Sequence, residues 1–123
     1  MSNHKDSKDF PKGYRPKDIE QRVVKEFLDV IILIEMKKQS NISGYDITGF
    51  VNKKFGGMLS PGTIYATLYS LERKGIIAGE SGRRKTVYHL TDQGQEVIDS
   101  LMVDFNREMA VFVRKFLSIS EKT

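Results

Sequence analysis

Residues 60–75 read Ser60-Pro61-Gly62-Thr63-Ile64-Tyr65-Ala66-Thr67-Leu68-Tyr69-Ser70-Leu71-Glu72-Arg73-Lys74-Gly75, and the rest of the chain is best read outward from them. A serine hydroxyl caps a helix, and proline suits the first helical position because its missing N–H needs no partner there. Glycine suits the left-handed residue just past the end. Between these signals Ile64, Leu68 and Leu71 recur at four and three residues, which predicts one buried stripe. The opposite face carries Thr63, Ala66, Thr67, Ser70, Arg73 and Lys74, short side chains followed by cations.

Upstream, Ser43-Gly44-Tyr45-Asp46 reads as a capping box with aspartate as its fourth member. The helix it opens shows Tyr45, Ile47, Phe50, Val51 and Phe55 as an apolar face and ends at Gly56-Gly57. Before it, a helical pattern begins at Asp18 with Ile19, Val23, Phe27, Val30, Ile31 and Ile34 and fades near Lys37–Asn41. Around Val30–Ile34 it is apolar on nearly every side, as in a helix buried on more than one face. Residues 1–17 carry Lys5, Lys8, Lys12, Arg15 and Lys17 with little that is apolar, and are expected to form a basic flexible arm.

Downstream, Ile76-Ile77-Ala78 is a short strand, Glu80-Ser81-Gly82 turns, and Lys85-Thr86-Val87-Tyr88-His89-Leu90 alternates as a half-exposed strand. Arg83, Arg84 and Lys85 put three adjacent cations at the tip of this hairpin. Thr91 then caps a helix that could run to about Ser118. On it, Ile98, Met102, Phe105, Met109, Phe112 and Phe116 are spaced 4, 3, 4, 3, 4, a heptad pattern that Leu101, Val113 and Leu117 widen.

The 123 residues suit a single domain, with 39% hydrophobic residues for a core. A chain of this length buries only about two-thirds of its unfolded surface, so pairing with a second copy would supplement its stability. Residues 1–90 hold 16 Lys/Arg against 10 Asp/Glu and residues 91–123 hold 4 against 6, a basic front and a mildly acidic tail. Such a front suits a polyanion, although an unevenly charged solvated surface would look the same. The absence of cysteine removes disulfides, thiolate metal sites and thiol catalysis. No apolar run approaches the roughly 20 residues of a membrane span, and the polar N-terminus is unlike a signal peptide, so a cytoplasmic protein is expected.

The order helix, helix, helix, β-hairpin, helix is that of a winged helix-turn-helix domain: mainly α with a small hairpin, over residues 18–90, followed by a long dimerisation helix in 91–123. In that architecture one helix enters the DNA major groove and the basic hairpin lies along the backbone or minor groove. Ser60, Pro61 and Thr63 then offer a phosphate site at the helix start, Ala66 and Arg73 lie on its exposed face, and Arg83, Arg84 and Lys85 neutralise phosphates.

Four motifs also resemble the PadR-like transcriptional regulators. They are Gly44-Tyr45-Asp46-Ile47, Ser60-Pro61-Gly62-Thr63-Ile64-Tyr65, Leu71-Glu72-Arg73-Lys74-Gly75-Ile76-Ile77 and Tyr88-His89-Leu90-Thr91-Asp92-Gln93-Gly94. The likeness covers roughly residues 27–98, and Ala66 departs from it where many members carry proline. It implies a dimeric repressor on a palindromic operator that often responds to small aromatic or hydrophobic molecules. It also implies DNA contacts at Ser60, Thr63 and Tyr65, and a wing residue near the backbone at Tyr88. In the compact branch with a single C-terminal helix, that helix packs against the first helix of the partner.

Other readings stay open for several residues. Tyr65 and Tyr69 are DNA contacts or plain packing. An apolar helical stripe is more often intramolecular core, yet this one extends past two heptads with three phenylalanines, more than a small domain covers alone. The expected dimerisation set is Phe27, Ile31, Ile98, Leu101, Met102, Phe105, Met109, Phe112 and Phe116. Met102 and Met109 line an effector cavity or fill gaps, and the absence of tryptophan weakens the case for a stacked flat ligand. His4 and His89 have no carboxylates at metal-ligand spacing, and no nucleophile–base pair or phosphate loop is visible. No enzyme, cofactor or metal is expected. The alternatives to a sequence-specific regulator are a winged-helix module for protein–protein contact and a nonspecific architectural DNA-binding protein.

Overall fold

The computed structural model describes residues 10–57 and 59–121; Lys5, Lys8 and His4 lie outside them. In chain order the elements are α1 (Pro16–Glu26), α2 (Leu28–Lys38), β1 (Ile42–Ser43), α3 (Gly44–Phe55), α4 (Pro61–Arg73), β2 (Ile77–Ser81), β3 (Thr86–Leu90) and α5 (Asp92–Glu121). Helices α2, α3 and α4 surround one core, closed on one side by the small sheet and on another by the start of α5.

The helix expected from Asp18 is two helices, broken at Phe27, whose φ of −104° and ψ of 18° leave the helical region. The stripe that periodicity suggested is also not the one the core takes. Val24, Leu28, Ile32, Leu33 and Met36 are buried, whereas Ile19, Val23 and Phe27 face out and Ile31 and Ile34 are half-buried. The segment is apolar on two faces, and pattern alone does not say which meets the core.

The described part of the expected arm, residues 10–17, is tied down. Asp18 accepts hydrogen bonds from the Arg15 N–H at 3.2 Å, the Arg15 Nε at 2.9 Å and the Gly13 N–H at 3.2 Å. Arg22 reaches back to the Gly13 carbonyl at 2.9 Å and lies 5.8 Å from the Tyr14 ring. The Arg15 bond is also the main reason the Asp18 carboxyl titrates below its usual range.

The caps form as the sequence suggests. Ser43 Oγ accepts from the Asp46 N–H at 3.0 Å, Ser60 Oγ from the Thr63 N–H at 3.2 Å and Thr91 Oγ1 from the Gly94 N–H at 3.0 Å. Gly56 and Gly75 take the left-handed conformation, at φ 73° and 78°. The hairpin strands run longer than expected on the first arm, so β2 includes Glu80 and Ser81. A third strand, β1, was not foreseen. It pairs antiparallel with β3, Ile42 opposite Tyr88 and Ser43 opposite Val87, and gives the order β1-β3-β2.

Helix α5 begins on a latch. Thr91 donates its hydroxyl to the Gly75 and Ile76 carbonyls at 2.6 and 3.1 Å, and its N–H bonds the Ile76 carbonyl at 3.1 Å. Gly94 lies so close that a Cβ there would stand 1.9 Å from that same oxygen. One turn on, Lys37 of α2 pairs with Asp99, which also accepts from the Gln95 amide at 3.0 Å. Ile98 is fully buried in the domain's own core and so leaves the expected dimerisation set. Leu101 and Met102 pack partly against that core. Beyond Met102 the helix leaves the domain, with Phe112 54% and Phe116 62% exposed.

Candidate nucleic-acid interface

Helix α4 buries Ile64, Leu68 and Leu71 and turns Pro61, Ala66, Tyr69 and Arg73 to solvent. At its start the Ser60 and Thr63 hydroxyls lie 3.0 Å apart on the exposed first turn. Thr67 turns its hydroxyl back onto the Thr63 carbonyl at 3.1 Å. This face forms one wall of an open cleft of about 440 Å³. The other wall is the α1–α2 junction, where Lys25 supplies a cation and Glu26 and Asp29 supply carboxylates. Lys25 went unnoticed in the sequence because nothing local shows that α1 ends beside α4.

Tyr65 is half-buried, its ring laid across the backbone of Gly44. A Cβ on Gly44 would sit 2.6 Å from its Cε1. The ring centre of Tyr69 is 6.2 Å away, and Tyr69 is half exposed. Tyr45 is 79% exposed at the start of α3, although the helical pattern placed it on the buried face. The first turn of α3 carries it clear of the core that Ile47 and Val51 enter.

Arg83, Arg84 and Lys85 are fully on the surface between β2 and β3, where the Gly82 N–H to Lys85 carbonyl bond of 2.8 Å closes the tip. The base of the hairpin is fixed to α4 by Glu72, which accepts the Gly79 N–H at 3.3 Å. Tyr88 is the clear correction. It is 3% exposed and packs inward over Gly79, so it supports the wing and does not face a backbone. Burial, and secondarily the charge of Glu72, pushes its phenol up from the usual value. Strand alternation puts Tyr88 and its neighbours on opposite faces, and the face Tyr88 takes is the one turned to the helical core.

The arrangement therefore presents one capped helix, with Pro61, Ala66, Tyr69 and Arg73 outward, and a basic hairpin bonded to it through Glu72. A family model for PadR-like transcriptional regulators matches residues 32–100. The chain belongs to the PadR-like family. The transcriptional activator GvpE1 of Halobacterium salinarum is 30% identical over 74 residues, which cover 60% of this chain and 39% of that protein. The chain thus spans about two-fifths of the length of this curated relative.

Among solved PadR-family structures, a PadR-like regulator from Bacillus cereus superposes with a TM-score of 0.65 at 24% identity. That match covers 78% of this chain and 96% of the other. Bacillus subtilis PadR, solved in complex with operator DNA, superposes with a TM-score of 0.54 at 29% identity, covering 62% of this chain and 46% of its own. Among the described residues no helix is long and apolar enough to cross a membrane.

Proposed function

We propose that this PadR-family chain is a sequence-specific DNA-binding repressor that works as a homodimer on a palindromic operator. The observation that carries the reading is the exposed face of α4, Ala66, Tyr69 and Arg73, together with the exposed cations Arg83, Arg84 and Lys85 of the hairpin that Glu72 ties to that helix. Ala66 lets the helix come close to the floor of a major groove, Tyr69 and Arg73 reach toward its edges and phosphates, and the wing cations replace counterions along the backbone. Ser60, Pro61, Thr63 and Tyr65 contribute at the helix start. Two copies are needed because one such helix reads only a half-site, and the apolar surfaces left open on α1–α2 and α5 are where they meet. A small hydrophobic effector binding among Phe105, Met109 and Phe112 would alter that pairing and release the DNA.

The test is selection of bound fragments from the source genome at near-physiological salt, followed by a search for a shared inverted repeat. Recovery of such a repeat is expected. Salt-sensitive binding with no common sequence would point to an architectural role, and no binding at all to a protein-interaction module. The Arg83→Ala/Arg84→Ala variant should bind all fragments more weakly and lower the salt slope by about 2 per wing. An unchanged slope would remove the wing from the interface.

A further inference from the structure

Helix α4 has two flanks, and the wing serves only one of them. At about 100° per residue, Ala66, Tyr69 and Arg73 point away from the core stripe of Ile64, Leu68 and Leu71. Glu72 leaves the helix on one side of that outward face, and there it takes the Gly79 N–H of the hairpin. Thr63, Thr67, Ser70 and Lys74 follow one another at four, three and four residues. They lie on the other side, about 170° around the axis from Glu72. This second flank is one wall of the open cleft of about 440 Å³, and Lys25 stands on the facing wall at the α1–α2 junction. Lys25 and Lys74 are both exposed, and among the described residues neither enters an ion pair. The Ser70 hydroxyl makes no hydrogen bond among them either.

We infer that this cleft seats the second phosphate strand of the bound DNA, with Lys25 and Lys74 as its cations, so that α4 is gripped on both flanks. The seat rests on the DNA-binding reading above, and Lys25 lies before the residues that the family model matches, which begin at 32. Sizes alone bring a backbone to each side of the helix. A B-DNA major groove is about 12 Å wide, and a helix with its side chains is about 10–12 Å across. The hairpin meets one backbone with Arg83, Arg84 and Lys85. The other backbone passes the opposite flank, where cations and hydroxyls in an open channel are what hold it. The cleft offers that combination, with one ammonium group from each wall and the Ser70 hydroxyl beside them.

Glu26 and Asp29 stand on the same wall as Lys25, and their charges oppose a phosphate. The Asp29 carboxylate accepts the Val30 N–H at 2.8 Å, whereas Glu26 is exposed. The two acids and two bases of the cleft cancel, so a free anion in solution gains little there. A strand already held by α4 and the wing is different. It arrives at high effective concentration and meets the two cations with little further loss of freedom, which makes DNA the occupant that the charges favour. The acids also give the seat a sign, since neutralising Glu26 must tighten binding where neutralising Lys25 weakens it.

The test titrates the full chain and its variants with an operator fragment from the genomic selection and with an unrelated fragment, over a series of salt concentrations. Lys25→Ala and Lys74→Ala should each lower the salt slope by about 1 per subunit. Each should weaken both fragments several-fold by the same factor, because a phosphate contact carries no sequence information. Glu26→Gln should tighten both about twofold at low salt. Lys38→Ala removes an exposed cation at the opposite end of α2 and should change little. Phosphate-ethylation interference then separates the strands. Lys25→Ala should lose sensitivity at phosphates on one strand of the half-site, and the Arg83→Ala/Arg84→Ala variant at phosphates across the groove on the other. Circular dichroism confirms that each variant is folded. An unchanged slope in Lys25→Ala, a loss no larger than that of Lys38→Ala, or one shared set of phosphates for Lys25 and the wing overturns the seat and leaves the DNA reading standing. A parent chain that recovers no operator in the genomic selection removes both.

Discussion

At the residue scale, one glycine shows where the fold tolerates no side chain, a second shows where it would welcome one, and a third stands between them. Gly94 faces the Ile76 carbonyl, and a Cβ at 1.9 Å from a backbone oxygen cannot be relieved by a side-chain rotation. Gly94→Ala should destabilise the chain by about 3 kcal/mol in urea unfolding, since α5 must tilt away from its latch. Gly49 lies on the exposed face of α3 with nothing within 4 Å of a Cβ. Gly49→Ala should therefore stabilise by about 0.5–1 kcal/mol, because alanine loses less backbone entropy in a helix. Equal effects from the two substitutions would contradict the packing described. Gly44 lies between these cases, since its neighbour is the Tyr65 ring, and alanine there would push the ring off the α3 start. The residue signals strongest in the sequence were the caps, Ser43, Ser60, Thr91 and Gly75. Each acts through neighbours a few residues away, so the local text contains the whole cause. Tyr88 failed for the opposite reason. Whether it points in or out depends on which face of β3 meets α2 and α3, far upstream in the chain.

At the element scale the same division holds. Helices α3 and α4 were readable with their boundaries, and so was the hairpin, because caps, prolines and alternation mark them. The α1–α2 break was not, since both faces of residues 19–36 are apolar and Phe27 carries no breaker signal. The two-residue strand β1 is too short to show any period. Capping also makes a measurable statement about α4. Ser60→Ala should lower stability by about 1 kcal/mol in urea unfolding, and a neutral result would mean that Pro61 alone sets the helix start. The docking of α5 has a pH dependence of known sign. The hydrogen bond from Lys37, helped by the Gln95 amide, holds the Asp99 carboxyl below its ordinary value. A carboxyl depressed on folding adds stability above its unfolded pKa of about 3.9 and loses it as pH falls through the folded value. The acid limb of the stability curve should therefore be shallower in Asp99→Asn than in the parent. Both groups are half exposed, so the difference will be small and will shrink with salt. Identical acid limbs would show that the bridge adds nothing to docking.

At the scale of the whole molecule, the question is what a 30-residue helix does when only its first two or three turns are held by its own domain. The heptad stripe was legible in the sequence, but its division was not. Ile98 belongs to the core and Phe112 and Phe116 to the open surface, and only the three-dimensional packing separates them. In the proposed homodimer, that division makes α5 a spacer of fixed length between a locked end and a pairing segment. Seven residues inserted between Met102 and Phe105 would keep the stripe in phase, because a heptad returns to within about 20° of its starting face. In the proposed homodimer each domain would then stand about 10.5 Å further from the pairing segment. The expected outcome is a folded dimer of undiminished stability whose affinity for the native inverted repeat falls to the nonspecific level, measured by mobility shift at physiological salt. Retained operator affinity in the insertion variant would therefore refute a spacer role for α5 even if the dimer itself is sound.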